Sequence, residues 1–441
     1  MPVITPIRAI HFPYACQKDI SQFISPPYDV LNETTKAALL DGSDCNIVKI
    51  DLPHLPPKTV GPDATYAQAG QWFAQWLSDG TLLKRQTPSY FVYQQTYTVD
   101  GKVFKRKGLI GNVQIKEFGP SDDGTGGIFP HEQTFSAPKA DRLKLMQQTQ
   151  AQLSPIFGLY SDATNSIGQL LSSYIAASEP TFYGTTANDD VLHEVWLVED
   201  AAEMKKLSAA LTGKDLFIAD GHHRYNTALN YKQDLETSQS QLPADHPANA
   251  CLFVMVAIED PGMIVLPTHR VLGNMKNFSI PKLNDIADAL SIIPFEGTLE
   301  ELEAALPKSG YHAMGLYDPT DPDADKFIAT TLEHDPLEDL FPEKSEAWRQ
   351  LDVAIVQHIL VERCCEPHFC ASGDAVTWKF PHSLQEMQDI VQSKDYQLAV
   401  IVQATPLQSV ADVSNAQELM PQKSTFFYPK LATGLAINPI K

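Results

Sequence analysis

Leu216-Phe217-Ile218-Ala219-Asp220-Gly221-His222-His223-Arg224-Tyr225 is the stretch that decides the fold. Leu216 to Ala219 form a short apolar strand, Asp220-Gly221 closes it in a tight turn, and Tyr225, Ala228 and Leu229 then recur at helical spacing through residue 232. A helix that starts at a strand end points its unpaired N–H groups and partial positive charge into the space beyond the strand, a setting that favours phosphate oxygens. Gly221 lets the backbone come close. His222, His223 and Arg224 add hydrogen-bond donors, and Asp220 is suited to hold a divalent cation or to activate a hydroxyl. A purely structural reading has Asp220 cap the helix while His222 and Arg224 face water. Two adjacent imidazoles and a guanidinium directly after an apolar strand favour a phosphoryl-transfer site over that reading.

Further elements follow on either side of this turn. Residues 90–99 and 103–115 alternate in β-favouring types around Asp100-Gly101, which predicts a two-stranded hairpin. Residues 66–77 place Tyr66, Ala69, Phe73, Trp76 and Leu77 on one face of a helix. Pro26-Pro27-Tyr28-Asp29-Val30 is a rigid extended loop before a helix opening at Asn32-Glu33. Residues 251–258 and 263–266 are apolar runs about Pro261-Gly262, expected as an antiparallel pair in one sheet. Beyond residue 280 the pattern turns mixed, with helix over 347–364 and strands at 313–317, 327–331 and 398–403, so two domains are expected, 1–278 and 279–441. The glycine-rich run 122–127 should be a mobile loop leading to Phe129-Pro130-His131-Glu132, where Glu132 is a candidate general base for a substrate hydroxyl. Leu266-Pro267-Thr268-His269-Arg270 and Lys423-Ser424-Thr425 each join hydrogen-bonding groups to a cation, which suits a carboxylate or phosphate.

Composition excludes several classes. The chain of 441 residues carries 54 acidic against 33 basic side chains, a formal charge of -21 that repels polyanions, so nucleic acid is not an expected partner. No apolar run approaches the roughly 20 residues that span a bilayer and no export signal opens the chain, so a cytoplasmic protein without a membrane partner is expected. Six cysteines are too sparse for a disulfide scaffold. Cys364, Cys365, His368 and Cys370 are close together, but adjacent ligands do not match C-x2-C spacing, and no metal is assigned to them. Neither G-x4-G-K-[ST] nor a protein-kinase H-R-D is present.

Five ordered segments, Pro26-Pro27-Tyr28-Asp29-Val30, His131-Glu132-Gln133-Thr134, Ala219 to Tyr225, Leu266 to Arg270 and Lys423-Ser424-Thr425-Phe426-Phe427-Tyr428-Pro429-Lys430, resemble over nearly the whole chain a widespread bacterial and archaeal family defined only by a domain of unknown function. Three of them also resemble the archaeal free-serine kinases of the ParB/sulfiredoxin-like superfamily. That resemblance implies an α+β chain with a ParB/sulfiredoxin-like mixed-sheet catalytic core, large insertions and an additional α/β lobe whose tail, 421–430, returns to the active site. It implies a phosphotransferase that moves a phosphoryl group from ATP or ADP, with Mg2+ at Asp220, to the hydroxyl of free L-serine, giving O-phosphoserine. Glu132 and Asp220 match its catalytic residues. Gly221, His222, His223 and Arg224 match its nucleotide-phosphate contacts, and Lys423, Ser424 and Thr425 match the segment that grips the amino acid. Phe426-Phe427 stand where those kinases carry Arg-His, so His269 and Arg270 are further candidate anion contacts, with Arg270 or Lys430 as replacement for the missing arginine. The alternative is a nucleotide-binding regulatory module of ParB-like type without kinase activity, which calls for a basic surface or a recognition helix.

Overall fold

A computed structural model describes residues 3–121, 126–186, 189–239, 242–319, 325–391 and 395–441, so positions 122–125 of the glycine-rich run lie outside the described residues. The chain divides into two compact units. The first is Met1–Met263 together with Pro429–Lys441 and the second is Ile264–Tyr428. The expected boundary was at 278/279 with the whole tail in the second domain.

The first unit is built on a nine-stranded mixed sheet. Its elements in chain order are β1 (Ile4–Thr5), α1 (Glu33–Gly42), α2 (Asp63–Asp79), β2 (Tyr90–Val99), β3 (Lys102–Gln114), β4 (Ile128–Phe129), α3 (Ser136–Thr149), β5 (Ile156–Tyr160), α4 (Ser166–Ala177), β6 (Phe182–Thr185), β7 (Leu192–Val198), α5 (Ala201–Leu211), β8 (Leu216–Asp220), α6 (His222–Gln239) and β9 (Ala250–Ala257). The strand order is β4-β8-β5-β9-β3-β2-β7-β6, with β1 beside β3. Strands β4 and β8 are parallel, as are β5 and β9, and the remaining pairs are antiparallel.

Local chemistry accounts for the elements. At the β2–β3 turn Asp100 and Gly101 both take positive φ, 49° and 73°, the backbone twist a two-residue hairpin requires. Asn32 and Thr35 form a reciprocal capping box that starts α1. Along α2, Tyr66, Ala69, Phe73 and Trp76 face inward and join Phe12, Leu145 and Ile437 in one core. A second core takes Tyr90, Val92, Leu109, Phe253 and Met255 from the sheet and Tyr225 and Ala228 from α6. The sequence pattern had found these strands and helices to within a few residues.

One pairing differs from expectation. Residues 264–266 do not pair with β9, because both edges of β9 are already occupied by β3 and β5. Asp260 accepts from the Gly262 N–H at 2.8 Å and Tyr97 donates to the Gly262 carbonyl at 2.6 Å, which pins the turn.

The second unit comprises β10 (Ile264–Leu266), β11 (Arg270–Gly273), β12 (Leu290–Phe295), β13 (Met314–Tyr317), β14 (Lys326–Thr331), β15 (Thr377–Lys379), β16 (Tyr396–Ile401) and β17 (Phe426–Tyr428), with helical chain over Asp352–Ile355, Val356–Cys365 and Glu366–Phe369. Six strands form an antiparallel sheet in the order β12-β14-β13-β16-β11-β15. Strand β10 pairs instead with β17 as a separate ribbon. His368 Nδ1 bonds the Cys364 carbonyl at 3.0 Å, and Cys364 and Cys365 are buried thiols.

A buried charge network braces the first unit. Arg142, on α3, donates from Nε to Asp141 at 2.8 Å and from Nη1 to the Asp51 carbonyl at 2.7 Å. Its guanidinium lies 3.8 Å from the centre of the Tyr28 ring, which fastens the Pro26-Pro27-Tyr28 segment to α3. Tyr66 and His54 both bond Asp141, at 2.7 and 2.9 Å, and Ser154 donates to Asp51 at 2.9 Å. Removing the guanidinium strands two buried carboxylates. Arg142→Met is therefore predicted to destabilise the chain by roughly 3–5 kcal/mol in denaturant titration. A loss below about 1 kcal/mol, the range of an exposed ion pair, would show that the network is not load-carrying.

Candidate active site

The turn after β8 is shaped by its neighbours. The β8–β5 register shifts between Ile218 and Asp220, an irregularity at the strand end. Gly221 follows with φ +98°, and a Cβ there would sit 3.1 Å from Arg224 Nε and 3.2 Å from Cζ. Glycine relieves both the backbone strain and the crowding. The Gly221 carbonyl accepts from the Tyr225 N–H at 2.9 Å and so starts α6. Gly221 has no side chain with which to cap the first N–H groups of the helix.

Asp220 is ringed by cations. Arg224 Nη2 donates to its Oδ2 at 3.1 Å and Lys430 Nζ stands 3.9 Å away. Burial pushes the Asp220 carboxyl upward, but Lys430 and Arg224 outweigh burial and hold it well below the usual carboxylate range. Arg224 also donates from Nη1 to the Pro155 carbonyl, which fixes its fork. Lys430 is placed by the strands opposite: Gln95 donates to its carbonyl at 2.9 Å, and Arg106, buried over the Phe157 ring, donates to the Pro429 carbonyl. Thus β2 and β3 deliver the chain's tail to the turn after β8.

Hydrogen bonds define the tautomers of His131 and His222. His131 Nδ1 lies 2.7 Å from the Ile218 carbonyl, which can only accept, so that nitrogen carries hydrogen. The His131 backbone N–H donates to His222 Nε2 at 3.2 Å, which makes that nitrogen an acceptor, and the rings meet edge to face at 4.7 Å. Burial lowers the pKa of both, and of His223, so all three are held toward the neutral form. His223 stacks against Phe135 at 6.2 Å and its buried Nδ1 has no hydrogen-bond partner.

Glu132 follows β4, the parallel neighbour of β8, and its charge acts on both His131 and His223. The structure therefore brings Glu132, Asp220, Gly221, His222, His223 and Arg224 into one neighbourhood, despite their separation in sequence. It adds groups to which no role had been attached. Asp29 acts on His223 and Arg224, lies 3.5 Å from Lys58, and has a buried Oδ1 without a partner. Lys58 acts on Asp220 and His223, and Lys139 on His223. The Pro26-Pro27-Tyr28-Asp29 segment was the signal for Asp29, whereas nothing local marks Lys58.

The other candidates belong to the second unit. Arg270 is buried, donates to the Thr268 and Lys423 carbonyls, the latter at 3.1 Å, and lies 5.3 Å from the Phe380 ring. Its guanidinium thus shapes the Lys423-Ser424-Thr425 turn. His269 is fully buried, accepts from the Val402 N–H at 3.3 Å, and is lowered to about 4 by burial. Lys423 takes a positive φ of 59°, and the Ser424 carbonyl accepts from Thr405 at 2.6 Å.

Residues 4–354 match the family described as Protein of unknown function (DUF1015), and the chain belongs to that family. No match was found among curated proteins. Solved structures similar to it include a conserved hypothetical protein from Pyrococcus furiosus (13% identity, 70% of this chain and 90% of that chain, TM-score 0.31). A free serine kinase in complex with AMP gives 12% identity over 70% of this chain and 88% of that chain, TM-score 0.32. C-terminally truncated SbnI from Staphylococcus aureus gives 11% identity over 75% and 87%, TM-score 0.33. Among the described residues no helix is long and apolar enough to cross a membrane, and no three His, Cys, Asp or Glu side chains group as a metal site.

The neutral imidazoles set a pH dependence. An unfolded histidine titrates near ~6.5, whereas His131 and His222 resist protonation in the fold, so the unfolded chain binds more protons as pH falls below that value. Folding stability is predicted to drop from about pH 6.5 downward, with a shallower slope in His222→Gln. An identical slope in the variant would show that His222 is protonated in the folded protein.

Proposed function

We propose that the chain is a nucleotide-dependent small-molecule kinase that phosphorylates the hydroxyl of free L-serine, built on a ParB/sulfiredoxin-like core. The observation that carries this reading is the meeting of a helix N-terminus opened by Gly221 with a carboxylate kept ionised by Arg224 and Lys430, beside a second carboxylate, Glu132. The motif likeness to free-serine kinases supplies the choice of acceptor. The N–H groups at the start of α6 and the guanidinium of Arg224 bind the phosphates of ATP or ADP, and Lys430 offsets charge on the transferred group. Glu132 accepts the serine hydroxyl proton as the oxygen bonds to phosphorus, and the bond to the departing nucleotide breaks. His222 and His223, as neutral rings, donate without adding charge.

Mg2+, if bound, would supply neutralisation of phosphate charge, and such an ion commonly takes only one or two protein carboxylates. Asp220 fits this donor set, and the partnerless Oδ1 of Asp29 offers a second oxygen. Lys423, Ser424 and Thr425 are the proposed grip on the amino acid, with Arg270 holding their turn.

The test is to incubate the protein with Mg2+, ATP or ADP, and L-serine and to look for O-phosphoserine by mass. Glu132→Gln is predicted to cut turnover by roughly 10²–10⁴-fold while nucleotide affinity and melting temperature stay near wild type. Phosphoserine formation above about a tenth of the wild-type rate in that variant would remove Glu132 as the base. Nucleotide binding without any product from the wild-type chain would leave the regulatory module as the correct reading.

A further inference from the structure

Of the 20 phenylalanines, all of them among the described residues, only Phe135 is exposed, at 50%. A singly exposed apolar side chain is ordinary on a protein surface, and this one is set apart by its place. Phe135 follows the candidate base Glu132 by three residues and is the N-cap from which α3 starts. Its ring stacks on that of His223, with centroids 6.2 Å apart and planes 29° from parallel.

The starts of two helices meet at this point. His223 lies in the first turn of α6, and Thr227, one turn further on, donates from Oγ1 to the Lys139 carbonyl in the first turn of α3 at 3.4 Å. Phe135 is thus held about one side chain away from the amides that open α6, while half of it stays uncovered. The polar side of the same place is built from buried groups: His131 and His222 are buried, and Arg224 and Lys430 converge on Asp220. Charges of Glu132, Lys58, Asp29 and Lys139 also reach His223, so apolar burial does not account for an aromatic ring here.

A flat ring beside groups suited to phosphate can take another flat ring. Every nucleobase has a π face, and a side chain already braced by His223 loses little freedom when a base settles on it. We propose that Phe135 is the stacking platform for the base of the nucleotide whose phosphates meet the start of α6. The proposal rests on the nucleotide-binding half of the function proposed above and does not require phosphoryl transfer.

Calorimetric titration of the whole chain with ADP and with pyrophosphate, each with Mg2+, separates the base from the phosphates. Phe135→Ala is expected to weaken ADP by roughly fivefold to hundredfold and to leave pyrophosphate affinity within about twofold, at an unchanged melting temperature. Phe135→Leu, which restores apolar bulk without a π face, should recover little of the loss, whereas Phe135→Trp should bind ADP at least as tightly as wild type. The proposal alone is overturned if Phe135→Ala binds ADP like wild type, if it loses ADP and pyrophosphate equally, or if Phe135→Leu restores wild-type affinity. A wild-type chain that binds neither ligand at millimolar concentration overturns it together with the nucleotide reading on which it stands.

Discussion

One carboxylate, Asp220, ties together parts of the first unit that are far apart in sequence. Burial alone would make it a neutral acid, and a neutral acid would give Arg224 and Lys430 no reason to converge. Because those cations outweigh burial, the group stays charged, α6 is anchored to the end of β8, and the tail around Lys430 is drawn to the same point. The positive end of the α6 dipole adds to this field. What results is a pair of cations, Arg224 and Lys430, gathered on one carboxylate in a strongly acidic chain.

Support for this centre comes from buried side chains that never touch it. Arg106 and Gln95 hold the carbonyls of Pro429 and Lys430, and Arg142 holds Tyr28 and thereby the turn that carries Asp29. Arg224 and Arg142 also line a small cavity of about 40 Å³ with Asp51 and Ser154, so the turn after β8 and the bracing network share a wall. Rigid placement of a few charged groups by buried hydrogen bonds is what electrostatic catalysis requires, since donors set in advance need no reorganisation when charge moves.

The sequence made local features legible and left non-local ones dark. Alternation about Asp100-Gly101 announces the hairpin because its side-chain period and its turn chemistry agree. The strand, turn and helix at Leu216–Tyr225 could be read for the same reason, and so could Glu132 as a candidate once its segment was seen beside the others. The pairing of 264–266 could not, because an apolar run does not say whether its neighbour has a free edge, and β9 has none. Lys58 and Lys139 carry no local mark, since their importance lies in distances to residues far along the chain. Arg270 shows a second burden the sequence does not mark: part of its guanidinium goes to two backbone carbonyls.

The central claim is that the first amides of α6 bind nucleotide phosphate. It is tested most directly by a 1H–15N TROSY spectrum of the whole chain titrated with ADP and Mg2+. The account predicts that the amide signals of Gly221, His222, His223 and Arg224 move first and furthest, and saturate together. Binding that shifts other amides while these four stay still would contradict it, as would no shift anywhere at saturating nucleotide.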